Sequence, residues 1–191
     1  ELDPLIAIVT NAEEDHLDCY ESAGALHDAF ADFASRPPFH GAVLLCGDDP
    51  GSASLSASTR APVTTFGLGP GNSLAATNIE VDGPITSCNV VRKGRAIGAV
   101  RLNLAGNHNV QNALAAIGAG MELGLDFEIL AQGCANFGGV GRRFEMMGER
   151  QGVIVIDDYA HHPTEIAAVL AAAHKAFPGR RIVAVFQPHL F

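Results

Sequence analysis

No run of apolar residues in this sequence approaches the ~20 needed to cross a bilayer, and the opening Glu1-Leu2-Asp3-Pro4 is neither a basic nor an apolar leader. The chain therefore reads as cytoplasmic, with no membrane insertion. Basic residues are few: 12 Lys and Arg stand against 21 Asp and Glu, a net charge of −9. Without a basic stripe, nucleic acid is a poor partner, although a few local cations or a metal could still hold a phosphorylated small molecule. Cysteines number four (Cys19, Cys46, Cys88, Cys134), and none forms a C-x-x-C pair. That excludes a zinc knuckle and a disulfide framework and leaves reduced, buried thiols. There is no Gly-Lys dipeptide for a P-loop, no Gly-x-Ser-x-Gly elbow and no His-Glu-x-x-His. Gly67-Leu68-Gly69-Pro70-Gly71 precedes no helical pattern, so it reads as a turn and not a dinucleotide fingerprint.

What is present is core material: 48% of the 191 residues are hydrophobic and 17% charged, enough for one domain or pieces of two. Leu5–Thr10 and Ala42–Cys46 are short continuous apolar runs, as in strands buried on both faces. Between them Leu26, Phe30 and Phe33 recur at helical spacing from Glu21 to Phe33, making a βαβ unit with parallel strands. Residues 50–105, rich in Gly, Ser, Thr and Ala, predict short antiparallel strands. Val110, Ala113, Leu114, Ile117 and Met121 share one face of a helix that Gly124 is placed to end, and Asp126 reads as the N-cap of a second helix to Asn136. Phe137-Gly138-Gly139-Val140-Gly141, three glycines in five residues, is a linker between domains at 1–138 and 139–191. A second βαβ pattern follows, with strands at Val153–Ile156 and Ile182–Phe186 and a helix from Thr164 to Phe177. The fold class is α/β, with parallel βαβ units and a small antiparallel region in the middle. Both ends read as cut, since the last strand is followed by only five residues.

Open parallel sheets bind ligands beyond the carboxyl ends of their strands, and each apolar run here leads into a polar cluster. The clusters are Asn11 to His16, Gly47-Asp48-Asp49, Asp157 to His162, and Gln187-Pro188-His189. Five of eight histidines (His16, His108, His161, His162, His189) stand near strand ends or a helix start. The acidic Asn11–Asp18 cluster with its imidazole suits a divalent cation, or simply forms the acidic first turn of the next helix. Asn109 reads as a helix N-cap. Asn112, three residues on, is not needed for capping, and the pair could read a planar base edge. Arg142 and Arg143 suit phosphate oxygens, or a salt bridge to Glu145 or Glu149. Pro163 fits the first position of a helix, with His162 beside the cap.

In order, these segments resemble the Mur ligase family. The resemblance is carried by Val9-Thr10-Asn11-Ala12-Glu13-Glu14-Asp15-His16-Leu17-Asp18, Gly106 to Ala116, Gly139-Val140-Gly141-Arg142-Arg143-Phe144-Glu145, Asp157 to Glu165, and Phe186-Gln187-Pro188-His189. It spans nearly the whole chain. The wording of the last three is similar to the branch that joins L-alanine to UDP-N-acetylmuramic acid in peptidoglycan synthesis; a related branch attaches a recycled tripeptide instead. The resemblance implies a three-domain, ATP-dependent amide-bond-forming ligase working through an acyl phosphate, with Mg2+. This chain would hold the later part of the ATP-binding central domain and the start of a Rossmann-like C-terminal one, with the P-loop upstream of Glu1. By position, His16 resembles the magnesium-site histidine, and His108, Asn109 and Asn112 the adenine-side residues. Arg143 matches the arginine that reaches the nucleotide phosphates and Asp158 the aspartate near the ribose. Tyr159, His161 and His189 lie where the amino acid is expected, and catalysis would fall to His16, Arg143, Asp158 and His161. Leu190 departs from the pattern, since many relatives carry arginine there. A rival of another class is a catalytically silent module that keeps the scaffold to bind a nucleotide or partner.

Overall fold

Strand β1 (Ile6–Val9) pairs in parallel with β2 (Ala42–Cys46), Ile6 opposite Ala42 through Val9 opposite Leu45. The structure, a computed structural model, describes residues 3–13, 20 and 22–188. Helix α1 (Ala23–Ser35) links the two strands, as the βαβ reading required, and starts where Ser22 accepts the Ala25 amide on its side-chain oxygen. All of β2 is buried, but β1 is not buried on both faces: Ala7 and Val9 point inward while Ile8 is 37% exposed. The reason is position, since β1 is the edge of the described sheet.

The middle of the chain departs from the reading as short antiparallel strands. After a short helix α2 (Pro50–Ser54) and a 3-10 turn (Leu55–Ser58), β3 (Val63–Gly67) extends the sheet in parallel with β2. Only β4 (Leu74–Asp82), β5 (Ile85–Arg92) and β6 (Arg95–Leu102) form an antiparallel meander, and at 9, 8 and 8 residues they are not short. Their apolar signal is weak because every second side chain faces water. In β5, for example, Thr86, Cys88 and Val90 are buried while Ser87 and Asn89 are exposed. The result is one six-stranded mixed sheet.

Helix α3 (Asn107–Glu122) lays Val110, Leu114 and Ile117 on Leu44, Phe66, Leu74 and Val90. It ends as expected at Gly124, whose φ of +81 lets Leu125 bond back to the Gly120 carbonyl. Helix α4 (Phe127–Asn136) follows Asp126 and packs with β6. On the opposite face of the sheet, Val43 and Leu45 meet Ala34 of α1 and Leu55.

Residues 137–140 carry no regular element. Beyond them β7 (Glu145–Arg150), wholly exposed and without an apolar signal, pairs antiparallel with β8 (Val153–Asp157). Here the second parallel pair is corrected. Residues 182–186 form no strand, and Val153 and Val185 are 63% and 96% exposed. An extended segment counts as a strand only when a neighbour takes its hydrogen bonds, and among the described residues β8 bonds only to β7. Helix α5 (Pro163–Ala176) begins one residue before the expected Thr164. Its Ala172 and Ala176 pack with Phe144 and Ala105, a small core joining the segments before and after the linker.

Candidate functional site

The carboxyl ends of β1 and β2, the first turns of α3 and the start of α5 face one open cleft of about 1400 Å³. Its polar lining comes from segments far apart in sequence, among them Asn11, Asp48, Asn112, Arg143, Asp158 and Glu165. The strand-end placement expected from the sequence is thus realised for three of the four polar clusters. His16 and His189 lie outside the described residues.

The β2 end is built around Asp48. Its carboxylate accepts the Leu68 and Gly69 amides at 2.5 and 3.0 Å, Asn72 Nδ2 at 2.9 Å and Gln111 Nε2 at 2.9 Å. Partial burial pushes this carboxyl up, but the four donors outweigh it and hold Asp48 below its ordinary value. Asp48 thereby ties the 67–72 turn and α3 to the strand end. Asp49 caps α2 through the Ser52 amide at 2.6 Å and takes the Ala12 amide at 3.0 Å, anchoring the loop after β1.

The start of α3 differs from the capping expectation. Gly106, at φ +105, is the N-cap, which only a residue without a Cβ adopts readily. Asn109 therefore lies inside the first turn, and its Nδ2 donates to the Ala105 carbonyl at 2.8 Å. Asn112, one turn on, is exposed and lines the cleft. His108 folds back toward Gly106 beneath Ala172 of α5. Burial lowers its pKa, Asp158 opposes the shift and Arg143 adds to it, so the imidazole is neutral at pH 7.

Gly141 to Phe144 is the most strained segment of the site. Arg142 and Phe144 have φ of +59 and +51, and each left-handed non-glycine residue costs about 1 kcal/mol or more. The surroundings hold them there. Glu145 accepts the Arg142 amide at 2.7 Å, the Arg142 carbonyl accepts the Tyr159 amide at 2.9 Å, and Asp158 takes the Phe144 and Ala160 amides, both at 2.7 Å. Both guanidinium groups lie against the Tyr159 ring, that of Arg143 at 5.7 Å, but they pair with different acids. Arg142 stands over the Tyr159 ring at 5.0 Å with its Nε 3.5 Å from Asp157, while Arg143 lines the cleft 3.6 Å from Glu165. The side-chain salt bridges to Glu145 or Glu149 that the sequence offered are not the pairs made by either arginine among the described residues.

The segment from Asp157 to Glu165 also serves two surfaces. Asp158, His162, Thr164 and Glu165 line the cleft. Tyr159 and His161, edge to face at 5.1 Å, stand outside that lining beside Arg142. Asp158, placed near the ribose by resemblance, has both oxygens engaged by backbone amides. His162 is the N-cap of α5, and Glu165 reaches back to the His161 and His162 amides. Burial raises the Glu165 carboxyl, but those amides and Arg143 prevail and lower it. Thr164 Oγ1 donates to Glu13 at 2.7 Å, and His162 Nδ1 is 3.7 Å from the same oxygen, so the loop after β1 touches the start of α5. Asp48, Gln111 and Glu13 were not singled out as site residues from sequence. Asp48 and Glu13 sat in the strand-end clusters, but only their partners, 20 to 151 residues away, give them a role.

Three cysteines lie in the described region: Cys46 and Cys88 are buried, Cys134 partly so, and none is disulfide-bonded. Burial pushes all three thiols up, Cys88 to about 11, so they are unreactive at neutral pH. No helix among the described residues is long and apolar enough to cross a membrane.

Comparison with known proteins shows the family. The Mur ligase middle domain model matches residues 1–120, and the model described as Mur ligase, glutamate ligase domain matches residues 142–189. The UDP-N-acetylmuramate–L-alanine ligase of Oleidesulfovibrio alaskensis is 48% identical over 190 residues, covering 100% of this chain and 42% of that protein. The chain thus spans well under half the length of the curated relatives it matches. Among solved structures, the UDP-N-acetylmuramate-alanine ligase of Thermotoga maritima superposes with a TM-score of 0.83 at 30% identity, covering 97% of this chain and 42% of that one. The UDP-N-acetylmuramate:L-alanyl-gamma-D-glutamyl-meso-diaminopimelate ligase of Neisseria meningitides gives 0.64 at 28% identity, covering 73% and 42%. With one family model matching residues 1–120 of 191 and a second matching most of the remainder, the chain belongs to the Mur ligase family.

Proposed function

We propose that this chain is part of a cytoplasmic, ATP-dependent ligase that joins L-alanine to the carboxylate of UDP-N-acetylmuramic acid in peptidoglycan precursor synthesis. The observation that carries the reading is convergence: the segments that resemble the family, from Asn11 to Glu165, meet in one cleft. Relatives bearing that activity in their names are 44–48% identical over nearly the whole chain. They favour L-alanine over a recycled tripeptide as the acceptor. The chain divides near residue 138 into the later part of an ATP-binding central domain and the beginning of a Rossmann-like C-terminal one.

The donor set fits a nucleotide. Asn112 offers an exposed amide on the cleft side of α3, His108 a neutral ring, and Arg143 a guanidinium suited to phosphate oxygens. Bound ATP supplies the phosphoryl group that activates the muramate carboxylate as an acyl phosphate. This chain's residues position and neutralise: Arg143 offsets phosphate charge, and the α3 side chains orient the base. Tyr159 and His161, with Arg142 beside them, form a separate polar surface for the incoming amino acid. Magnesium would fall to His16. Among the described residues no group of three His, Cys, Asp or Glu side chains is arranged to hold a metal ion.

The test is product formation by a chain completed to the length of its relatives. Phosphate release should require ATP, UDP-N-acetylmuramic acid and L-alanine together. Release that responds to the tripeptide but not to L-alanine would favour the recycling branch, and none with either would favour a binding module.

A further inference from the structure

The ends of β2 and β3 are shaped around one carboxylate. A Cβ on Gly67 would fall 2.5 Å from the Asp48 carboxylate, and one on Gly47 would collide with the Asn72 amide oxygen. Three of the four Asp48 donors (the Leu68 and Gly69 amides and Asn72 Nδ2) belong to the turn at 67–72, so the carboxylate is fixed against the strand ends. The fourth donor comes from elsewhere. Gln111 Nε2 reaches Asp48 Oδ2 at 2.9 Å from the second turn of α3, and lies 3.7 Å from Cys46 Sγ at the same strand end. Helix α3 has no side-chain cap at Gly106. Its apolar contacts through Val110, Leu114 and Ile117 choose the face that meets the sheet, but apolar attraction has no direction and sets the roll of the helix only coarsely. A hydrogen bond to a fixed acceptor sets it finely. Gln111 is followed directly by Asn112, and both line the cleft.

We propose that Asp48 and Gln111 are positioning residues: the carboxylate, fixed by the 67–72 turn, pegs α3 through Gln111 so that Asn112 presents its amide to the nucleotide base. The inference rests on the reading of Asn112 as an adenine-side residue, and Asp48 and Gln111 act through it. The chemistry explains why the peg is a carboxylate. Four N–H donors converge on its two oxygens, whereas an asparagine would turn an NH2 group toward some of them. Without the peg the start of α3 shifts by a fraction of an ångström, enough to weaken a base contact that depends on distance and angle.

The experiment measures ATP binding at equilibrium and initial rates in the completed enzyme. Gln111→Ala should raise Kd and KM for ATP about threefold to tenfold and narrow the preference for ATP over GTP. It should leave KM for L-alanine unchanged and Tm within about 2 °C, a split that general destabilisation does not produce. Asp48→Asn should weaken ATP binding by a similar factor and also lower Tm, since it frees the turn as well. The double variant Gln111→Ala/Asn112→Ala should bind ATP no worse than Asn112→Ala alone, because the first change acts only through the second side chain. Factors that multiply in the double variant would mean that Gln111 meets the nucleotide itself and would overturn the proposal. Unchanged ATP binding in Gln111→Ala, beside weakened binding in Asn112→Ala, would overturn the peg alone. Unchanged binding in Asn112→Ala would remove the adenine reading and the peg with it. Should the completed enzyme bind ATP but make no product, the ligase reading falls, while the binding cycle still decides whether the peg exists. The Gln111 variants carry the test even if Asp48→Asn fails to fold.

Discussion

Asn109 and Asn112 share one face of α3, and the structure assigns them different consequences on truncation. Asn109 Nδ2 donates to the Ala105 carbonyl at 2.8 Å, across the helix start. Removing a single neutral hydrogen bond of this kind costs about 1 kcal/mol. For a protein of several hundred residues, that is a fall of about 2 °C in Tm. Asn112 is exposed within α3, and alanine has the higher helix propensity, so Asn112→Ala should leave stability unchanged or raise it by up to ~0.7 kcal/mol. If Asn112 reads the adenine edge, the same substitution should raise KM for ATP by about tenfold, the loss of one well-placed hydrogen bond. It should also narrow the preference for ATP over GTP. The two effects move in opposite directions, so general destabilisation cannot imitate the result. The assay is initial rate against ATP and GTP concentration in the completed enzyme, beside a thermal melt of the free protein. An Asn112→Ala variant with unchanged ATP dependence and nucleotide preference would refute the placement of the adenine pocket.

Three further outcomes are expected. The Asp48 carboxyl is lowered in the folded protein from its ordinary 3.8, so its contribution to stability is present above that value and is lost as pH falls through the folded pKa. Denaturant titrations below pH 5 should show a flatter acid limb for Asp48→Asn, and an unchanged slope would remove Asp48 as the tie between β2 and the 67–72 turn. The 191-residue chain alone, with no Gly-Lys phosphate cradle in its sequence, should release no phosphate dependent on UDP-N-acetylmuramic acid and L-alanine; release under those conditions would contradict the mechanism. In the completed enzyme, His16→Ala should cut turnover by about a hundredfold or more, with partial recovery at raised magnesium, whereas full activity at low magnesium would return His16 to an ordinary surface role.

Much was legible from local pattern. The first βαβ unit, the α3 face through Val110, Leu114 and Ile117, the stop at Gly124 and, to within one residue, the start of α5 all follow from period, capping and glycine geometry. These depend on residues a few positions apart. Motif order alone was enough to place the family. What depended on distant partners was not legible. The exposed edge of β1, the parallel pairing of β3 and the antiparallel β7–β8 pair are decided by which strand lies alongside, and no residue within the strand encodes its neighbour. The same holds in the cleft. The sequence presents Arg142 and Arg143 as equivalent charges and Asp158 as one acid among several. Only the folded chain brings the Phe144 and Ala160 amides onto Asp158, pairs Arg142 with Asp157 and Arg143 with Glu165 in the cleft, and bonds Thr164 to Glu13 across 151 residues of sequence. Hydrogen bonds and burial are properties of pairs in space, and the sequence carries one member of each pair at a time.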